Sequence, residues 1–383
     1  MKWAPLLLWL AVFSVTAAAA ATFKVTLLTP ADDPRFERAR LERALLGHPG
    51  GPAVDALRAA LSDSSVELGA AASKIELLTI EVSDAASARA AATAADKNGA
   101  AALLADLPDA WLLAAADAAP RLPLLNIGHT SDALREADCR KNLLHLLPSQ
   151  RMRADAMAQT LIARRWNNVL LLVGPLPEDK QRAAAAEASI KRYGLKLVAS
   201  KTFKLSADPR ERQLANPLLL TQGLYDVVWV VDSDGEFAAT LPYRTALPRP
   251  VVGDGGLMAL AWSARFERYG APQISRSLAR ATRRQATEHD WAAWMAGKAL
   301  VAAAVATNTK LPFAQALQSA EIDGSKGVLM SFRPWDGQLR QPILLSDGQS
   351  VITLAPAEGV LHPKNNLDTL GADAPERLCK ARL

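Results

Sequence analysis

Residues 168–173, Asn-Val-Leu-Leu-Leu-Val, and 225–231, Tyr-Asp-Val-Val-Trp-Val-Val, decide how this chain folds. Each is a short apolar run with almost no polar alternation, the pattern of a strand buried on both faces. Between them lie a helical stretch over 178–193, a strand over 196–203 and another helical stretch over 209–220. A helix over 153–165 leads into the set, and a strand over 249–252 ends it. Buried strands separated by helices of about 10–15 residues predict a parallel sheet covered on both faces.

Working outward, the same rhythm occupies the preceding third of the chain. Strands are expected over 22–28, 75–82, 100–105 and 122–127, with helices over 53–61, 84–95 and 111–119. Two successive units of this kind make an α/β protein of two Rossmann-like, doubly wound lobes. Downstream, Glu288–Ala306 is the longest uninterrupted helical pattern. Residues 328–332 and 341–345 flank Arg333-Pro-Trp-Asp-Gly337 and predict a hairpin, with Asp336-Gly337 as its turn signal.

The first 21 residues address the chain. Lys2 precedes an apolar run from Trp3 to Val15, and small residues follow to Ala21. This is the charged, apolar, small-residue order of a secretory signal peptide, cleaved near Ala20. The run is shorter than the roughly 20 residues a membrane span needs. With 44 Lys+Arg against 39 Asp+Glu in 383 residues, the charge excess is too slight for a dedicated nucleic-acid binder. Two cysteines are too few for a disulfide scaffold or a four-cysteine zinc site.

Catalytic signatures are missing: there is no Gly-x-Ser-x-Gly, phosphate-binding P-loop, His-Glu-x-x-His or Cys-x-x-Cys. The five histidines stand singly, without the pairing a metal site uses, and Val252-Gly-Asp-Gly-Gly256 reads as a sharp turn at a strand end. An enzyme is therefore the least favoured class, and neither catalytic residues nor a metal or required cofactor is expected. What remains is the loops at the C-terminal strand ends, where open α/β sheets bind ligands. Arg35, Asp106, Trp111 and His129-Thr130-Ser131 fall there in the first lobe, and Asp232 and Asp254 in the second. His129-Thr130-Ser131 precedes an expected helix through Leu134 and Ala137, whose first N–H groups can hold an anion; a plain helix cap is the alternative.

The order of leader, two lobes, long helix and Phe-x-x-x-Asp-Gly hairpin resembles the type I periplasmic solute-binding proteins of ABC importers, in the branched-chain amino acid class. The markers are Leu122-Pro-Leu-Leu-Asn-Ile-Gly-His-Thr-Ser131, Ser331-Phe-Arg-Pro-Trp-Asp-Gly337, and the helix bearing Trp291 and Trp294 near the hinge. The resemblance implies two lobes joined by three crossovers and closing on a solute. Lobe 1 is then 22–150 with 286–325, lobe 2 is 151–285 with 326–360, and 361–383 is a tail packed on lobe 1. It also implies a monomer in the periplasm that delivers its solute to an inner-membrane ABC permease. The loop Asn126–Ser131 departs from the Ser-Pro-Ala/Gly-Ala-Thr usual in the family, so an amino acid is not the first expectation.

The chain, above all His362-Pro-Lys-Asn-Asn-Leu-Asp-Thr-Leu-Gly371 with Cys379, resembles a subgroup associated with pyrroloquinoline quinone (PQQ)-dependent alcohol oxidation. PQQ is a flat tricarboxylate, and such a solute wants several Arg or Lys partners and an aromatic or guanidinium face. Arg35, Arg135, Arg140, Lys141, Arg151 and Arg153 fall near the cleft loops. Arg265, Arg276, Arg280, Arg283 and Arg284 crowd the second crossover. Lys141, Arg151, Arg276 and Trp294 thus complete the expected ligand set. The alternatives are an amino acid or amide, with Asp106, Asp232 or Asp254 holding the ammonium, and an extracytoplasmic sensor for a separate signalling partner. In an exported protein, Cys139 and Cys379 are expected to form a disulfide pinning the tail, with two buried thiols as the alternative.

Overall fold

The computed structural model describes residues 20–42, 46–307 and 311–382. The leader expected over 1–21 therefore lies outside the described residues except for Ala20 and Ala21.

The first lobe is a five-stranded parallel sheet in the order β2-β1-β3-β4-β5. Its strands are β1 (Ala21–Pro30), β2 (Ser73–Val82), β3 (Ala102–Ala105), β4 (Leu124–Asn126) and β5 (Leu143–His145). Alternate residues feed alternate faces, as the period of two requires. Val25, Leu27, Leu104, Leu125 and Leu144 join one core, and Leu28, Leu103, Leu124 and Leu143 the other. The helices here are α1 (Arg38–Glu42), α2 (Ala53–Asp63), α3 (Ser65–Ala70), α4 (Ala85–Lys97) and α5 (Asp109–Ala118). Asp84 caps α4 by accepting from the Ser87 N–H at 2.6 Å, which fixes where that helix starts.

The second lobe is a four-stranded parallel sheet in the order β7-β6-β8-β9. It comprises β6 (Asn168–Val173), β7 (Lys196–Thr202), β8 (Val227–Val231) and β9 (Val251–Gly253). Its helices are α6 (Gln150–Ala163), α7 (Pro177–Arg192), α8 (Pro217–Leu220) and α9 (Glu236–Thr240). The helix expected over 209–220 is instead a 3-10 stretch, Pro209–Ala215, followed by the short α8. Pro217, which lacks an N–H, breaks the run, and Asn216 restarts it by capping Leu218 at 3.0 Å.

Beyond β9 come β10 (Met258–Leu260), α10 (Ala271–Thr282), α11 (Glu288–Ala306), α12 (Phe313–Gln318), β11 (Glu321–Asp323), β12 (Leu329–Ser331), β13 (Ile343–Ser346) and β14 (Val351–Ala355). Trp262, Phe266, Ile274 and Leu278 lie in the first lobe's core, and Trp262 stacks on Trp291 at 6.0 Å between centroids. Residues 262–278, expected with the second lobe, thus share their buried side chains with the first lobe's core. The chain passes between cores after Leu147 and after Ala259, and beyond Leu339 it serves both, Leu344 lying in the first core and Ile343, Leu345 and Ala355 in the second.

The hairpin expected around Asp336-Gly337 is corrected. The turn exists, with Gly337 at φ 70°, but β12 pairs with β11 and β13 with β10 and β14. Only one antiparallel bridge, Phe332 to Leu339, spans it. The hairpin is β13–β14, turned by Asp347-Gly348.

Cys139 and Cys379 are disulfide-bonded, with Cα atoms 5.6 Å apart. The tail reaches beyond the first lobe, however. Gly371 N donates to Asp155 of α6 at 2.8 Å, Tyr193 donates to Thr369 O at 2.7 Å, and the buried Arg333 donates to Asp368 and to the Leu367 and Leu370 carbonyls. It forms a seam across both lobes. Among the described residues no helix is long and apolar enough to cross a membrane.

Candidate functional site

The loops after β1 and β4 face the ends of β8 and β9 across a cavity of about 430 Å³, which α6, α7 and α11 also border. That volume suits a small solute. Five of the expected residues line it: Arg35, His129, Thr130, Asp232 and Asp254.

The first-lobe wall is built on two loops. After β1, Asp33 caps a 3-10 turn and holds the Arg35 guanidinium at 2.6 Å, while Arg35 Nη1 donates to Asp106 Oδ1 at 2.9 Å. Burial disfavours the Arg35 charge, but the two carboxylates outweigh it and raise its pKa. Asp106 itself stands one layer behind the lining. It fits against Gly128, where any Cβ would overlap its carboxylate. After β4, Asn126 Oδ1 accepts from His129 N at 2.9 Å, and Asn126 Nδ2 donates to His129 O at 2.8 Å, folding the loop back on itself. The buried Arg135 fixes its far end by donating to Ser131 O at 2.8 Å, Leu147 O at 3.0 Å and Gln338 Oε1 at 2.9 Å. Burial pushes its pKa down to about 10.

The expected helix after Ser131 is a single 3-10 turn, Ala133–Arg135, so His129-Thr130-Ser131 caps no α-helix. Two of its three N–H groups are also engaged: His129 donates to Asn126 Oδ1, and Ser131 to His129 Nδ1. Thr130 remains in the lining, held by Gln150 Nε2 at 2.7 Å.

The second-lobe wall is acidic with one embedded cation. Arg182, on α7, pairs with Asp254 and donates to Ser233 Oγ at 3.1 Å. Asp254 Oδ2 accepts from Asp232 N at 2.7 Å, and Asp232 Oδ2 from Ala238 N at 2.9 Å. Burial raises the Asp232 pKa, the Ala238 and Gly235 N–H groups counter it, and Asp254 and Asp179 add to the rise. At the cleft floor, Arg153 of α6 holds Glu288 of α11 in a bidentate pair at 2.8 and 3.0 Å, and its Nη1 also donates to Ala259 O at 2.8 Å.

The other expected residues lie elsewhere. Trp111 packs against the first lobe's far core, and Ser131 is outside the lining. Lys141 is exposed just before β5, at the opposite edge of the sheet from the cleft. Arg151 is turned to the tail, bonding Glu376 at 2.8 Å. Arg276 is exposed on α10, and Trp294 is buried in the first lobe's core. Arg265, Arg280 and Arg283 are exposed, while Arg284 is paired with Asp290. Sequence proximity to a crossover misled because a helix there buries one face in its own lobe and turns the charged one to water. Arg182, Glu288 and His289 were missed. The available signal was position, since each lies within two turns of the start of a helix that begins at the cleft.

No family model matches this chain, and no curated protein matches it. Solved structures do. A periplasmic binding protein from Burkholderia mallei is 13% identical over 94% of this chain and 99% of that chain, with a TM-score of 0.66. A leucine-, isoleucine-, valine-, threonine- and alanine-binding protein from Brucella ovis, in a closed conformation, is 14% identical over 86% and 90%, TM-score 0.67. An ABC transporter solute-binding protein from Rhodopseudomonas palustris in complex with benzoate is 14% identical over 87% and 96%, TM-score 0.60. The fold is the type I periplasmic binding protein fold, and the Rhodopseudomonas palustris neighbour is a solute-binding protein of an ABC transporter.

Proposed function

We propose that this protein is the exported, periplasmic solute-binding component of an ABC importer, capturing a small carboxylate-bearing solute by lobe closure and presenting it to a membrane permease. The observation that carries the reading is the cleft itself: one polar cavity between two lobes, with Arg35, Arg153 and Arg182 around it and the three crossovers as hinge. No bond is made or broken. Closure removes the solute from water, so the population shifts toward the closed state by the solute's preference for it. The finer reading is PQQ, named by the sequence resemblance. Four guanidinium groups line the cavity, those of Arg35, Arg153 and Arg182 and that of the exposed Arg40, and Trp229 in the lining offers an aromatic surface. Arg35, Arg153 and Arg182 each already hold a protein carboxylate, so the solute must share or replace it.

Titration of the mature protein with PQQ, benzoate and a panel of amino acids, followed by tryptophan fluorescence, tests this. PQQ binding is expected to weaken at least tenfold, about 1.4 kcal/mol, on Arg182→Ala. Lys141→Ala is expected to leave it unchanged, since that side chain lies at the far edge. Tight binding of an aliphatic amino acid without response to PQQ would replace the solute assignment, and binding of none would overturn the carrier reading.

A further inference from the structure

Three histidines line the cleft, and two have local work. His48 Nε2 lies 2.8 Å from Arg35 O, and His129 Nδ1 accepts from Ser131 N at 3.3 Å. His289 differs: it stands in the first turn of α11, beside the Arg153–Glu288 pair, and its Nδ1 is buried with no hydrogen-bond partner. A neutral imidazole carries one N–H and one lone pair. Burying an orphaned N–H is rarer in proteins than leaving an acceptor short, so the ring proton belongs on Nε2. The ring is only partly buried, and the opening it borders is the cleft.

We propose that His289 is a specificity-determining residue of the cleft, donating from Nε2 to a carboxylate of the bound solute. This rests on the carboxylate reading above and sharpens it. The groups facing the ring are mixed. Asp33, Arg35 and Asp106 come from the first-lobe loops, Glu288 from its own helix and Arg153 from α6. Burial disfavours the imidazolium; Asp106 and Glu288 favour it, and Arg35 and Arg153 oppose it, leaving the pKa below the ordinary histidine range. The empty cleft at pH 7 therefore presents a neutral donor. A bound carboxylate stabilises the protonated ring, so by linkage affinity rises as pH falls through the histidine titration.

The test measures dissociation constants for PQQ, benzoate and leucine by calorimetry, for wild type, His289→Ala, His289→Asn and His289→Gln, between about pH 5 and 8. Glutamine carries an amide N–H to about the reach of Nε2, and asparagine only to that of Nδ1. Alanine and asparagine are expected to weaken binding about tenfold and glutamine about threefold or less. The rise in affinity at low pH is expected to shrink in all three variants. That difference from wild type separates the ring from Asp232, which titrates in every protein compared. Thermal melting verifies that each variant is folded. Unchanged affinity in His289→Ala, or equal losses in the asparagine and glutamine variants, would overturn the assignment while leaving the carrier reading intact. A wild-type protein that binds none of the three probes removes both.

Discussion

Arg182 and Arg333 each face an aspartate, yet they belong to different kinds of site. Arg333, in the seam between the lobes and the tail, is fully enclosed, with its side chain 0% exposed. It donates to Asp368 at 2.9 Å and to two tail carbonyls at 2.7 and 2.8 Å. Arg182, in the cleft wall, is 26% exposed and donates to one carboxylate and one hydroxyl. The seam encloses that charge against Asp368 and the tail carbonyls, with the remaining Nη1 buried 3.7 Å from Asp336 Oδ2. The cleft leaves part of each guanidinium facing a cavity, so a solute carboxylate can join. Enclosure of the guanidinium, rather than the presence of an ion pair, separates an arginine that holds the fold from one placed to bind.

If that contrast is right, Arg333→Ala carries the larger structural cost. Removing it uncovers two buried carbonyls and part of the Asp368 charge, at about 3–5 kcal/mol in urea unfolding. A loss below about 1 kcal/mol would mean that Arg340, which also donates to Asp368 at 2.8 Å, carries the seam alone. Next comes Cys379→Ser with Cys139→Ser, expected to cost about 2–4 kcal/mol, because the bridge restrains a loop of 240 residues in the unfolded chain. The seam's bonds survive in that double variant, so the tail should still be protected from proteolysis under native conditions. Rapid cleavage there would show that the disulfide, not Arg333, holds the tail.

Much of the fold was legible in the sequence, because apolar runs such as Asn168–Val173 have one stable destination. Glu288–Ala306 was legible for a related reason: Thr287 and Asp290 form a capping box at its start. The three-residue strands β5 and β10 carry too little pattern to stand out. Asp336-Gly337 gave a true turn signal but no information on which strands its flanks would pair with, since pairing is set by distant partners. The site was half legible. Strand-end loops located Arg35, Thr130 and Asp254, because topology alone sends those ends to the cleft. Lys141, Arg151 and Arg276 were misplaced because a charge count near a loop carries no direction. The tail pairing of Arg151 with Glu376 joins positions 225 residues apart and leaves no local trace.

The smallest effect concerns Asp232, and its sign opposes that of Arg333. Its folded pKa is raised, first by burial and then by Asp254 and Asp179, against the pull of the Ala238 and Gly235 N–H groups. A carboxyl with a raised folded pKa contributes its stability fully below the unfolded value, about 3.9, and loses it as pH rises through the folded one. The ionised Asp232 is thus held at a stability cost at neutral pH. Asp232→Asn keeps an oxygen to accept from Ala238 N and removes the charge, so the variant should melt higher than wild type at pH 7. The gap should close as the pH approaches about 3.5, where the wild-type carboxyl is neutral too. Melting curves across that range decide the point. A gap that does not change with pH would place the effect in packing, and a variant less stable at pH 7 would mean that the backbone donors already satisfy the charge. A positive result marks the cleft as the part of the molecule where charge is kept against stability, as expected where a solute must be met.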